Sequence, residues 1–166
     1  MSQNYDPSVD RKWSVKYQEM PEKWFLNLPD PEYIMTQAKG WRAEANKDGS
    51  ILMRHFEWNT KNPETFPDVL KDMMEYHKCP SISMFMGTHE KSNNSLGWHV
   101  DDYNVWGFNI TGVTKWTWWN IAHPEKGVMK EQIVEPGHII TIPRGVSHKV
   151  DVLSEERTSI SIINQK

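Results

Sequence analysis

Three side chains carry chemistry by type and spacing: His99 and Asp101 in Gly97-Trp98-His99-Val100-Asp101, and His148 in Pro143-Arg144-Gly145-Val146-Ser147-His148. In an extended strand successive side chains alternate faces, so His99 and Asp101 point the same way, one step apart. An imidazole and a carboxylate so placed, joined by a second imidazole from elsewhere, can hold one face of a metal ion and leave its other positions open. That donor set is the 2-His-1-carboxylate arrangement of non-haem Fe(II) sites. Zn2+ accepts the same donors, so ligand type alone does not fix the metal. His-x-Asp is a short pattern, and in a chain with seven histidines it gains weight only from its surroundings.

The elements that must position this set are short strands. From Pro80 onward the pattern gives Ser81–Met86, Trp98–Asp101, Tyr103–Ile110, Thr114–Trp119, Val128–Val134, His138–Ile142, Ser147–Val152 and Arg157–Ile163. Gly112, Pro124–Gly127, Pro136-Gly137, Pro143–Gly145 and Ser154–Glu156 are the turns between them. Strands at this spacing predict a mainly β protein, an antiparallel sandwich or barrel of which the double-stranded jelly roll is one form. Upstream, Asp30 and Pro31 open a helix expected to run to Lys39, Ile51–Phe56 reads as a strand, and Pro67–Tyr76 reads as a helix burying Val69, Leu70, Met73 and Met74. The expected organisation is therefore a helical and irregular segment, residues 1–80, packed on a β-domain, residues 81–166, that carries the metal site.

Composition narrows the class. With 166 residues the chain is expected to form one domain, and a net charge of −3 gives no basic field to favour nucleic acid. Cys79 has no second cysteine to pair with, which fits a reducing compartment. The N-terminus has no basic segment followed by an apolar run, and no stretch approaches the ~20 apolar residues of a membrane helix. The expectation is a soluble, cytoplasmic protein. Nine tryptophans are unusual, and Trp98, Trp106, Trp116, Trp118 and Trp119 crowd the segment around His-x-Asp. By strand parity Trp116 and Trp118 share one face, while Lys115, Thr117 and Trp119 share the other. At least one of Tyr103, Trp116, Trp118 and Trp119 is expected to line a substrate pocket, the others being core. Arg157, Ser159 and Ser161 also share a face, which is either solvent or a polar interior; Asn109 and Lys115 are polar residues set among tryptophans and aliphatics. The polar segment His89–Ser95 is either a lid or a solvated loop.

His99-Val-Asp-Asp-Tyr-Asn-Val-Trp106, then Gly112 and Lys115-Trp116, then Val134-Glu-Pro-Gly-His-Ile-Ile-Thr-Ile-Pro-Arg-Gly-Val-Ser-His148, resemble the JmjC-type and cupin-like Fe(II)/2-oxoglutarate oxygenases, bacterial ribosomal-oxygenase-like members in particular. The resemblance covers roughly residues 95–163. It implies a double-stranded β-helix in which His99, Asp101 and His148 ligate Fe(II), with 2-oxoglutarate as cosubstrate and O2 as oxidant. His138 departs from it, standing where the ribosomal-oxygenase type carries an acidic residue after Pro-Gly. For the distal carboxylate of 2-oxoglutarate two cations compete. Arg157, with Ser159 two residues on, resembles the Arg-x-Ser of many 2-oxoglutarate oxygenases, whereas Lys115 lies on the strand that JmjC proteins use. Arg157 is preferred for its bidentate fork. Ser159, Asn109 and Tyr103 are the further residues expected around the cosubstrate.

The leading expectation is a hydroxylase acting on a small molecule or a protein side chain, with a homodimer left open. Two alternatives stand beside it: a cupin-type isomerase or dioxygenase that uses no keto acid, and a metal-bound cupin acting as a binding module.

Overall fold

The computed structural model describes residue 5 and residues 15–33, 42–45, 51–57, 67–79, 81–88, 97–119 and 129–163. Among the described residues the elements bounded at both ends follow in the order β1 (Lys16–Glu19), α1 (Glu22–Phe25), β2 (Arg42–Ala45), β3 (Ile51–Glu57), α2 (Asp68–His77), β4 (Ser81–Thr88), β5 (Val105–Thr111), β6 (Thr114–Trp119), β7 (Met129–Val134), β8 (His138–Ile142), β9 (His148–Val152) and β10 (Glu156–Ile163). They form a seven-stranded sheet, β1-β8-β5-β10-β4-β3-β2, and a three-stranded sheet, β7-β6-β9. Every pairing is antiparallel. The architecture is mainly β, two antiparallel sheets arranged as a jelly roll, with helices in its N-terminal segment.

Both faces of the large sheet are covered, and this decides how β10 is built. Ile160 and Ile162 turn to one face with Phe108, Trp106 and Ile139. There they meet Met20, Trp24, Leu70, Met73 and Met74 from the N-terminal segment. The α2 helix takes its apolar stripe from Val69, Leu70, Met73 and Met74, all buried, and ends where Lys78 adopts the left-handed conformation at φ 55. The other face of the large sheet looks at the small sheet. Val105, Ile140 and Ile142 pack there against Trp116, Val134 and Val146. Arg157, Ser159 and Ser161 share that face, so their polar alternation marks an interior and not solvent.

Several expectations move. Strand β1 lies in the segment read as irregular and pairs with β8, with Tyr17 opposite Ile140. Four residues of sequence Lys-Tyr-Gln-Glu are too few and too polar to signal a strand; the pairing partner supplies the order. Because β2 and β3 also join the large sheet, residues before Pro80 contribute three of its strands as well as helices. The expected strand Trp98–Asp101 contracts to one bridge, His99 to His148. Asp30 Oδ1 accepts a hydrogen bond from the Glu32 N–H at 2.8 Å, as its capping role requires, but the helix expected to reach Lys39 extends outside the described residues, as do the His89–Ser95 loop and the Pro124–Gly127 turn.

Candidate metal centre

The bridge between the segment after Gly97 and the start of β9 builds the site. His99 N donates to His148 O and His148 N donates to His99 O, both at 3.0 Å. The two imidazoles therefore leave paired backbone positions side by side, with ring centroids 4.2 Å apart. Two residues along, Asp101 Oδ2 lies 3.4 Å from His148 Nε2 and 3.7 Å from His99 Nε2. One ligand atom from each of the three residues falls within 4.8 Å of the others. The loop that closes the site is pinned by two backbone donors: Gly145 N–H to the Asp101 carbonyl at 3.0 Å, and Arg144 N–H to Asn104 Oδ1 at 2.9 Å.

The tautomers follow from what each ring's other nitrogen meets. His99 Nδ1 lies 2.9 Å from the Gly97 carbonyl and His148 Nδ1 lies 2.9 Å from the Val146 carbonyl. A carbonyl only accepts, so both Nδ1 atoms carry a proton and both Nε2 atoms are turned toward Asp101 as the ligating positions. This is the outer-shell support that orients metal-bound imidazoles. Burial pushes the His148 pKa below its ordinary value and the neighbouring His99 adds to that, while the Val146 carbonyl and Asp101 pull the other way. A neutral imidazole is the form that ligates. The donor set of two Nε2 atoms and a carboxylate fits a divalent transition metal.

Trp116 is stacked on His148, with interplanar angle 8° and centroids 5.9 Å apart. Its ring lies where a side chain on Gly107 would be: a Cβ there would sit 2.7 Å from the indole. Trp116 Nε1 donates to Thr114 Oγ1 at 3.1 Å, and Thr114 Oγ1 in turn receives Asn109 Nδ2 at 3.1 Å. Ser159 Oγ donates to Asn109 Oδ1 at 2.7 Å, and Arg157 Nη1 reaches Ser159 Oγ at 3.4 Å. An unbroken run of contacts thus leads from His148 to Arg157 through the space between the sheets. Arg157 is only 3% exposed, and its guanidinium stands 5.4 Å from the Phe85 ring.

The sequence-derived candidates separate on this frame. His99, Asp101 and His148 come together, and Arg157 and Ser159 share their interior. Asn109 is there too, but its amide also reaches Val134 O at 3.0 Å and Gly112 O at 3.2 Å, so it braces the two sheets. Tyr103 is half-buried against the apolar cluster between the sheets. Lys115 is not in the interior. His148 is registered with Trp118, which puts Trp116 and Trp118 inward and Lys115 outward, where its Nζ lies 3.9 Å from Glu131. Lys115 as a cosubstrate anchor is corrected on that ground; the inward residue beside it is Thr114. Reasoning from sequence missed the Gly97 and Val146 carbonyls, since a backbone acceptor leaves no trace in residue type. It also missed Thr114, for which the inward parity of Trp116 is the available signal.

No family model matches the chain, and no curated protein matches it in sequence. Solved structures do match in fold. The ribosomal oxygenase YcfD of Escherichia coli, solved in complex with cobalt and succinic acid, superposes with a TM-score of 0.59 at 16% identity over 91% of this chain and 53% of its own. A second YcfD structure gives 0.51 at 15% identity, covering 99% of this chain and 48% of that one. Oxalate decarboxylase of Bacillus subtilis, with Mn(II) centres, gives 0.53 at 14% identity over 75% of this chain and 27% of that one. The chain spans about half the length of YcfD. These neighbours are metal enzymes of the JmjC and cupin fold, and the likeness is one of fold.

Proposed function

We propose that the chain is an Fe(II)- and 2-oxoglutarate-dependent oxygenase that hydroxylates a C–H bond of a small molecule or a protein side chain. One observation carries the reading: His99, Asp101 and His148 converge, with both imidazoles held in the Nε2-donor form by backbone carbonyls. Three ligands from the chain leave room on the metal for a bidentate keto acid and O2. The interior also suits a dicarboxylate. A buried anion needs a hydrogen-bonded cation, and Arg157 supplies a planar fork beside the Ser159 hydroxyl. The cobalt and succinic acid in the YcfD structure are a divalent metal and a dicarboxylate of that kind.

A metal held by His99, Asp101 and His148 would activate O2, the oxidant, with two of its four electrons drawn from oxidative decarboxylation of 2-oxoglutarate to succinate and CO2 and two from the substrate C–H bond. The chain's own residues bind and orient. The two carbonyl-held imidazoles and Asp101 would hold the metal, Trp116 keeps the His148 ring in its plane, and the buried Arg157 would pair with the far carboxylate. An anaerobic absorption spectrum tests the reading. Fe(II) and 2-oxoglutarate together, but neither alone, are expected to give the weak visible charge-transfer band of the chelate. Fe(II) binding with no such band would remove the keto acid and leave a metal-dependent cupin reaction of another kind.

A further inference from the structure

The small sheet has a second face, turned away from the triad, and it is built like a binding site. On β6 the outward residues are Lys115, Thr117 and Trp119; Thr117 is registered between Glu131 on β7 and Lys149 on β9. Together with Trp98 they line a groove of about 500 Å³, within the ~300–1,000 Å³ of small-molecule clefts. Trp98 and Trp119 stand 43% and 38% exposed, with ring centroids 6.2 Å apart and planes tilted by 34°. Two large rings this open on one side of a cleft form an apolar platform that no packing among the described residues covers. The floor is polar. Thr117 is 6% exposed, and its Oγ1 has no hydrogen-bond partner among the described residues. A buried hydroxyl left this way is costly unless something met in the groove satisfies it.

Charge selects the class of ligand. Lys115 Nζ lies 3.9 Å from Glu131, and Lys149 Nζ lies 3.7 Å from Asp151 and 5.5 Å from the centre of the Trp98 ring. Each ammonium already faces a carboxylate. An anionic ligand would have to displace Glu131 and Asp151, and a cationic one would meet Lys149 over the ring it needs. A neutral ring with an apolar face and a rim of hydroxyls uses everything present. Its flat face stacks on the indoles, and its hydroxyls donate to the carboxylates and accept from the ammonium groups and Thr117. We propose that this groove is a carbohydrate-binding site, separate from the metal centre and on the opposite face of the same three strands. The proposal stands apart from the oxygenase reading.

The test uses the full chain, fluorescently labelled, on an array of neutral, sialylated and sulfated glycans, followed by calorimetry with the retained glycan as free oligosaccharide. Retention on neutral glycans is expected, with Trp98→Ala and Trp119→Ala each weakening binding about tenfold. Co(II) affinity at the triad reports that both variants are folded and should not change. Thr117→Val separates a binding role from a structural one: it should weaken binding several-fold while raising Tm, because it removes the unpartnered hydroxyl. No retained neutral glycan, affinity unchanged in both tryptophan variants, or preference for sialylated or sulfated glycans would overturn the proposal.

Discussion

The two faces of the seven-stranded sheet are made of the same strands and differ most along β10. On the side of α2, β10 presents Ile160 and Ile162 to Leu70, Met73 and Met74, and fully buried apolar side chains dominate the cluster. On the side of the small sheet the same strand presents Arg157, Ser159 and Ser161, all buried and polar. One step of the chain separates an oily face from one that holds a cation. The lesson is a division of labour: apolar burial under the helices supplies stability, which lets the inter-sheet face keep buried polar groups that cost stability. A jelly roll with only one covered face would have to use its interior for both.

Four perturbations test that division. The largest effect is expected from His148→Ala, which removes a ligand and should abolish Fe(II) or Co(II) binding by calorimetry while the chain stays folded; unaltered metal affinity would remove His148 from the site. Next, Leu70→Ala on the opposite face should cost about 2–5 kcal/mol of stability, read by denaturant unfolding. The folded fraction should keep its metal affinity, and a parallel fall in affinity would show that the two faces are not separable.

Third, the apolar face carries a pH liability. His77 is buried among Tyr5, Trp24, Tyr76 and Trp106, with Tyr5 Oη 3.1 Å from its Nε2. Burial lowers its pKa from 6.5 to about 4. Below pH 6.5 the unfolded chain takes up a proton that the folded chain refuses, so stability falls as pH drops toward about 4. The loss should approach about 3 kcal/mol, and His77→Phe should flatten this limb of the stability profile. An unchanged limb would mean that other groups set it.

The smallest effect belongs to the polar face. Arg157→Lys should raise the KM for 2-oxoglutarate about tenfold, since a point charge cannot replace the fork. Ser159→Ala should give less, because its hydroxyl also serves Asn109. Lys115→Ala, on the outer surface, should be nearly silent. Reversal of the arginine and lysine results would overturn the placement of the cosubstrate.

Much of this was legible in the sequence where local pattern and fold agree. Thr114–Trp119 and His138–Ile142 appear with the expected bounds, and the helix expected over Pro67–Tyr76 is α2, Asp68–His77. His99 and Asp101 converge with His148 as expected, although the strand meant to align them is reduced to a single bridge. What the sequence left open was absolute orientation. Parity divides β6 into Trp116 with Trp118 and Lys115 with Trp119, but it does not say which set looks inward. That is settled by a partner distant in sequence, His148, registered with Trp118. The same limit left Arg157 undecided between solvent and interior. Strand β1 was invisible because its order comes from β8 and not from its own residues.

The reciprocal hydrogen bonds between His99 and His148 have a consequence for how the metal is gained and lost. Two donors distant along the chain are clamped by backbone before any ion arrives, so loading pays no loop-closure entropy. For the ion they behave as one rigid chelating jaw with Asp101 as its hinge-side tooth. The native protein should therefore gain and lose a metal without unfolding: a chelator should empty the site and a salt of the metal refill it, with the peptide hydrogens of His99 and His148 protected from exchange in both states.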